Sequence, residues 1–133
     1  MPIEPGLVGE KTLIVEHKHT AAAFDCPRLA PVFSTPILVG LLEGAAKSAL
    51  HPHFNPDESC VGLSINIRHL AATPIGMQVR ARAELIRLEG RKAFFKVEAW
   101  DEVEKIAEGE HERYIINWDR FMEGVEKKKA AKA

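Results

Sequence analysis

The apolar and polar positions of this chain follow two different periods. From Val61 to Ala99 the apolar positions recur at every second residue. Val61, Leu63, Ile65 and Ile67, closed by His69, alternate with Gly62, Ser64, Asn66 and Arg68, and Val79, Ala81, Ala83 and Leu85 alternate with Gln78, Arg80, Arg82 and Glu84. Ala93, Phe95, Val97 and Ala99 repeat the spacing, and a last run extends from Ile106 to Ile116. A period of two predicts strands with one face on a core. Earlier, Ile37 to Ala46 is apolar on so many sides that it predicts a buried helix, running from about Pro36 to about Leu50. Ser34 or Thr35 offers its hydroxyl as a cap, and Pro36 suits the first helical position, where its missing N–H costs nothing. Gly40 and Gly44, four apart like Leu41 and Ala45, leave one helical stripe nearly flat and suited to close approach of a sheet.

The punctuation between these runs sets the topology. Lys11 to Thr20 alternates loosely, with Leu13, Val15, His17 and His19 on one side, and predicts a first strand; Pro27 to Pro31 predicts a loop. The segment His51–Asp57, with prolines at 52 and 56, ends the helix. Turns are expected at Ala72–Gly76, at Glu89-Gly90 and at Asp101–Glu104, and turns this short join antiparallel strands. The result is an α+β fold, an antiparallel sheet of about five strands wrapped round one long central helix, in a single domain spanning 1–133. Residues 1–9 and 122–133 are expected as flexible ends, with the lysine-rich tail solvated.

A length of 133 residues with 46% hydrophobic content suffices for one core. Eighteen Lys+Arg against nineteen Asp+Glu give a net charge of -1, which is no nucleic-acid footprint. No window approaches the ~18 apolar residues of a membrane span, and the first residues lack a basic and then apolar leader pattern, so a cytoplasmic protein is expected. Cys26 and Cys60 lie far apart in no C-x-x-C or Cys/His cluster and read as reduced thiols. His51 and His53 have no acidic or cysteine partner at ligand spacing, and no Walker, Rossmann or G-x-S-x-G pattern occurs, so neither metal nor cofactor is expected.

Against this background Glu43 is the only ionisable residue between Ile37 and Ala46. A carboxylate among apolar neighbours loses hydration and must be compensated, which makes it a candidate for chemistry; pairing with Lys47 one helical turn on is the structural alternative. Thr35 is placed to cap the helix or to offer a catalytic hydroxyl, and His69 to serve as a core histidine or as a base. His111 and Arg113 share one face of the last strand, while Arg80, Arg82, Arg91 and Lys92 read as a solvated sheet face that could meet phosphates.

The runs Phe33-Ser34-Thr35-Pro36 to Leu42-Glu43-Gly44-Ala45, Val61-Gly62-Leu63 and His69-Leu70-Ala71-Ala72-Thr73-Pro74 resemble the hotdog-fold thioesterases of the fluoroacetyl-CoA thioesterase type. The likeness spans about Leu13 to Ile116 and includes Glu89-Gly90-Arg91 and Gly109-Glu110-His111-Glu112-Arg113. It implies a hotdog fold and hydrolysis of a small acyl-CoA substrate to the free acid and coenzyme A. It also implies a homodimer with sites between protomers. The resemblance puts the catalytic set on Thr35, Glu43 and His69, a glycine near the thioester on Gly62, and an arginine that could meet the coenzyme A phosphates on Arg113. Phe33 and Leu29, bulky residues near the start of the helix, are expected to bind the acyl side. The segment Pro27-Arg28-Leu29-Ala30 departs from the family in lacking the aromatic lid residue of the fluoroacetate-specific enzyme.

Eight residues of helix put Thr35 and Glu43 about 12 Å apart along the axis, too far to be direct partners within one helix. For the homodimer that the resemblance implies, Val61 to Leu70 is the expected edge, since an unpaired apolar strand edge is a pairing template. Hydrolysis through an acyl-enzyme and hydrolysis by direct attack of water both remain open. The rival function is a non-catalytic acyl-CoA or small-ligand binding module on the same fold, with a hydratase relative as a third and weaker option.

Overall fold

The computed structural model describes residues 2–24 and 28–132, so Cys26 lies outside the described residues. Strand β1 (Val8–Ile14) is followed by short 3-10 turns at His17–His19 and Ala21–Ala23, then by helix α1 (Thr35–Leu50). A further 3-10 turn at His51–His53 leads into β2 (Glu58–His69), β3 (Gln78–Glu89), β4 (Lys92–Trp100), β5 (Lys105–Asn117) and helix α2 (Trp118–Ala130). The five strands form one antiparallel sheet in the order β1-β3-β4-β5-β2, which leaves β1 and β2 as its two edges.

The alternation read from β3 and β4 is the alternation that packs. Val79, Ala81, Ala83 and Leu85 join Ala93, Phe95, Val97 and Ala99 in a fully buried layer against Leu38, Leu42, Ala45, Ala46, Ala49 and Leu50 of α1. Helix α1 rests chiefly on β1 and β3 and only lightly on β4 and β2. Gly90, at φ 62°, makes the β3–β4 hairpin in a conformation costly for other residues.

Four features differ from the sequence expectation. The first strand begins at Val8 and ends at Ile14, because Val15 exchanges hydrogen bonds with the turn before β3 (its N–H to Met77 O at 2.9 Å, its O from Gly76 N at 2.8 Å) and the chain then coils. His17 and His19 thereby leave the extended pattern, and His19 Nδ1 accepts the Glu16 N–H at 2.9 Å. Within the end expected to be loose, Gly6 and Leu7 bond to both main-chain groups of Leu85 at 2.8 Å.

Second, the close contact between helix and sheet is made by Gly9 of β1 rather than by Gly40 or Gly44. A Cβ on Gly9 would strike Ala45 O, Ser48 Oγ and Ala49 N, whereas one on Gly40 would meet nothing within 4 Å. Third, β2 carries a bulge at Leu63: Gly62 pairs with Arg113 but Ser64 pairs with Glu112. The extra residue reverses the facing, so Cys60 and Gly62, not Val61 and Leu63, look toward α1 before Ile65, Ile67 and His69 resume that side. Fourth, the C-terminal segment expected as a loose end contains α2, whose first turn is capped by Asn117 Oδ1 accepting the Arg120 N–H at 3.1 Å; none of its residues is buried.

The Gly9 contact has a direct consequence. Gly9→Ala forces the helix off the sheet and should lower unfolding stability by about 1–3 kcal/mol, read as a lower urea midpoint with an unchanged slope. An unchanged midpoint would contradict this packing.

Candidate functional site

The start of α1 divides two tasks between adjacent hydroxyls. Ser34 Oγ caps the helix by accepting the Ile37 N–H at 3.4 Å, which frees the neighbouring Thr35 side chain. Thr35 is exposed, and its Oγ1 lies 2.8 Å from Nδ1 of His69, the last residue of β2. Thr35 is therefore not the cap, and His69 is not an isolated core histidine. The other ring nitrogen, His69 Nε2, is buried without a partner among the described residues. Burial pushes the His69 pKa below its ordinary value, the main chain of Ala71 opposing, so the ring favours the neutral form that can accept a proton.

A second cluster sits further along α1. Glu43 does not pair with Lys47: its Oε2 accepts a hydrogen bond from Arg113 Nη1 at 3.1 Å. The Arg113 side chain is 5% exposed and that of Glu43 35%, so a deeply buried cation meets an acid that still reaches solvent. Arg113 Nε donates to Cys60 Sγ at 3.2 Å, and Arg113 Nη1 lies 3.2 Å from His111 Nε2. His111 Nδ1 is 2.7 Å from Ser64 O. A carbonyl only accepts, so the proton of His111 is on Nδ1, and its Nε2 accepts from Arg113. Burial, and then the Arg113 charge, hold the His111 pKa below the usual imidazole range, with the Ser64 carbonyl and the Glu43 and Glu112 charges opposing.

Gly62 completes this cluster by having no side chain: a Cβ there would lie 2.9 Å from Glu43 Oε2 and 3.3 Å from Arg113 Nη1. The β2 bulge makes this possible, because without it Gly62 would not share the facing of Ile65 and His69.

Within one chain the sequence candidates thus fall into two groups, Thr35 with His69 and Glu43 with Gly62 and Arg113. Arg113 is committed inward and does not present its guanidinium to solvent. Phe33 is packed in the core at 1% exposure, and Leu29 is on the surface at 41%. Arg80 pairs with Glu10 at 2.9 Å and lies over Trp100, Arg82 pairs with Glu84 at 3.3 Å, and Arg91 with Glu58 at 3.6 Å, all on open sheet surface. His111 and Cys60 were not among the sequence candidates. The shared face of His111 and Arg113 was the available signal; nothing in the sequence showed that Cys60 would reach Arg113.

A curled antiparallel sheet along one long helix, with a hydroxyl–imidazole pair and a braced carboxylate on the edge-strand side, defines the class: a hotdog-fold thioesterase. Residues 15–119 match the family described as fluoroacetyl-CoA-specific thioesterase, and the chain belongs to that family. It is 41% identical over 100 residues to the fluoroacetyl-CoA thioesterase of Streptantibioticus cattleyicolor, covering 75% of this chain and 72% of that protein. A solved structure of the fluoroacetyl-CoA thioesterase superposes with a TM-score of 0.88 at 33% identity, over 96% of this chain and 98% of the other. A hypothetical protein of Thermus thermophilus in the thioesterase superfamily gives a TM-score of 0.92 at 26% identity, over 98% and 96%. The protein is a thioesterase, a hydrolase of acyl-CoA thioesters.

The two depressed imidazoles predict how stability changes with pH. Above 6.5, the ordinary imidazole value, both states hold these rings neutral and the curve is flat. Below it the unfolded chain takes up protons that the folded chain refuses, so stability should fall as pH drops through the depressed folded values. Urea unfolding between about pH 5 and 8 measures this; stability that rises on acidification from 6.5 would contradict it.

Proposed function

We propose that this thioesterase cleaves the thioester of a small acyl-CoA, giving the free acid and coenzyme A, as a cytoplasmic homodimer whose sites lie between protomers. The observation that carries the catalytic assignment is the 2.8 Å contact between an exposed Thr35 hydroxyl and a His69 ring held in its basic form. A hydroxyl within hydrogen-bond distance of a neutral imidazole is the arrangement of an activated nucleophile and its base. His69 takes the Thr35 proton as the oxygen attacks the carbonyl carbon. The same proton then goes to the departing thiolate, and water releases the acid from the threonine ester. Backbone N–H groups near Gly62 supply the donors for the developing oxyanion. Glu43, the third member of the set, orients water for the second step.

The about 12 Å of helix between Thr35 and Glu43 is the reason to look for the complete site between two chains. Among the described residues β2 bonds only to β5 and leaves its other side unpaired, with Leu63 48% exposed on the bulge, so a second copy aligned there continues the sheet. Leu29, on the surface ahead of the helix, and Phe33, buried behind the cap, bound the acyl side. A variant of the fluoroacetyl-CoA thioesterase, 34% identical to this chain, has been solved with acetyl-CoA bound, which supports an acyl group of that size. A free, half-buried Cys60 suits a reducing compartment, and no helix among the described residues is long and apolar enough to cross a membrane.

Thiol release across a panel of acyl-CoAs, followed with a disulfide-exchange dye, tests the reading. The native enzyme should turn over the short acyl groups fastest. Glu43→Gln and His69→Ala should each lower kcat by about 10²–10⁴ with the fold intact by circular dichroism. Near-normal rates in both variants would overturn the assignment, and a fully active monomer at micromolar concentration would overturn the shared site.

A further inference from the structure

We infer that His111 is a positioning residue for the hydrolysis: through Arg113 it holds the Glu43 carboxylate in its working orientation. The inference rests on the catalytic reading of Glu43 proposed above and adds a residue that does not itself reach the reacting atoms.

The argument begins with how loosely Glu43 would otherwise be held. Its side chain is long, 35% exposed, and bonded among the described residues to one group, Arg113 Nη1 at 3.1 Å. Where that nitrogen sits therefore decides where the carboxylate sits. Arg113 has a flexible stem of its own, but its guanidinium is gripped on two sides, Nε by Cys60 Sγ and Nη1 by His111 Nε2, each at 3.2 Å. His111 is in turn fixed, being 1% exposed and donating Nδ1–H to the Ser64 carbonyl at 2.7 Å. The wire thus runs from the β2 backbone just past the bulge, through a buried ring and a buried cation, to an acid at the solvent edge. Bond polarity runs outward from Arg113 on both sides: it donates to Glu43 and to His111, and His111 donates in turn to the Ser64 carbonyl.

The surroundings keep that polarity in place. The groups facing His111 are Arg113 on its own strand, Ser64 O on β2, Glu43 on α1, and on β4 the Phe95 ring, whose centroid is 6.2 Å away; the Glu112 charge acts on it from the other face of β5. A protonated His111 would turn an N–H toward the Arg113 cation and break the wire at its middle. Burial and the Arg113 charge disfavour that state. A histidine present only to fill space beside Phe95 would need neither its Ser64 anchor nor a lone pair aimed at Arg113.

The test compares kcat and KM for His111→Leu, which keeps volume and removes the acceptor, with those for His111→Gln, which returns an acceptor toward Arg113. The leucine variant should lose about ten- to a hundredfold in kcat, the cost of a carboxylate displaced by about 1 Å. Its KM should change by less than about threefold, and the glutamine variant should recover most of the loss. In a Glu43→Gln background, His111→Leu should cost little more, since its effect passes through that carboxylate. Should the leucine variant fail to fold, His111→Gln against His111→Asn keeps the comparison, because asparagine is too short to reach Arg113 and should be the slower of the two. Equal rates for glutamine and asparagine, a leucine variant with normal kcat, or full additivity with Glu43→Gln would overturn the inference. Normal turnover in Glu43→Gln alone would instead remove the catalytic reading beneath it.

Discussion

One buried charge organises this molecule. Arg113 lies in the interior with a side chain 5% exposed, and a guanidinium there costs several kcal/mol in lost hydration unless its donors are matched. The matches come from three elements: Glu43 from α1, Cys60 from β2 and His111 from the same strand as the arginine. Each match constrains something else. Glu43 must reach down from the helix, so the β2 residue beneath it must be glycine; His111 must stay neutral, so its other nitrogen is tied to a backbone carbonyl. The β2 bulge sets which side chains face this charge, because the extra residue at Leu63 aims both Gly62 and the later Ile65 and His69 at the same side.

The two hydroxyls at the start of α1 show how local structure frees a side chain for a distant contact. A helix end needs an acceptor for its first N–H groups, and Ser34 provides one. Thr35, relieved of that task, turns to the imidazole that ends β2. The strand whose last residue supplies His69 is also an open edge of the sheet. Packing is concentrated where α1 meets β1 and β3, through alanines and Gly9, while the Thr35–His69 and Glu43–Arg113 contacts occupy the opposite flank, where a single chain leaves α1 lightly covered.

Much of this was legible in the residues. Strands with strict alternation, β3 and β4, were read with the correct faces because each side chain position depends only on the pleat. The helix was read to within one residue, since cap, proline and apolar run agree. The reading slipped where one extra residue or one turn changes the phase. Leu63 looks like a core residue by spacing and is exposed because it is the bulge, and His17 and His19 look like strand residues but lie in a 3-10 turn. The helix after Asn117 was missed because its lysine-rich end resembles a solvated tail and no buried face marks it. Glu43, Thr35 and His69 were singled out in the sequence as candidates, yet their contacts were not: the acid was weighed against Lys47, and the arginine was assigned to phosphates. Contacts between residues 70 and 34 positions apart, as in Glu43 with Arg113 and Thr35 with His69, leave no trace in local pattern.

The most direct measurement is a crystal structure of the assembled enzyme with a non-hydrolysable thioether analogue of acetyl-CoA. The account predicts the analogue's carbonyl between a Thr35–His69 pair and a Glu43 carboxylate still bonded to Arg113, each within hydrogen-bond reach or one water of the reacting carbon. An analogue bound elsewhere, with Glu43 swung into solvent and distant from every His69 of the assembly, would contradict it.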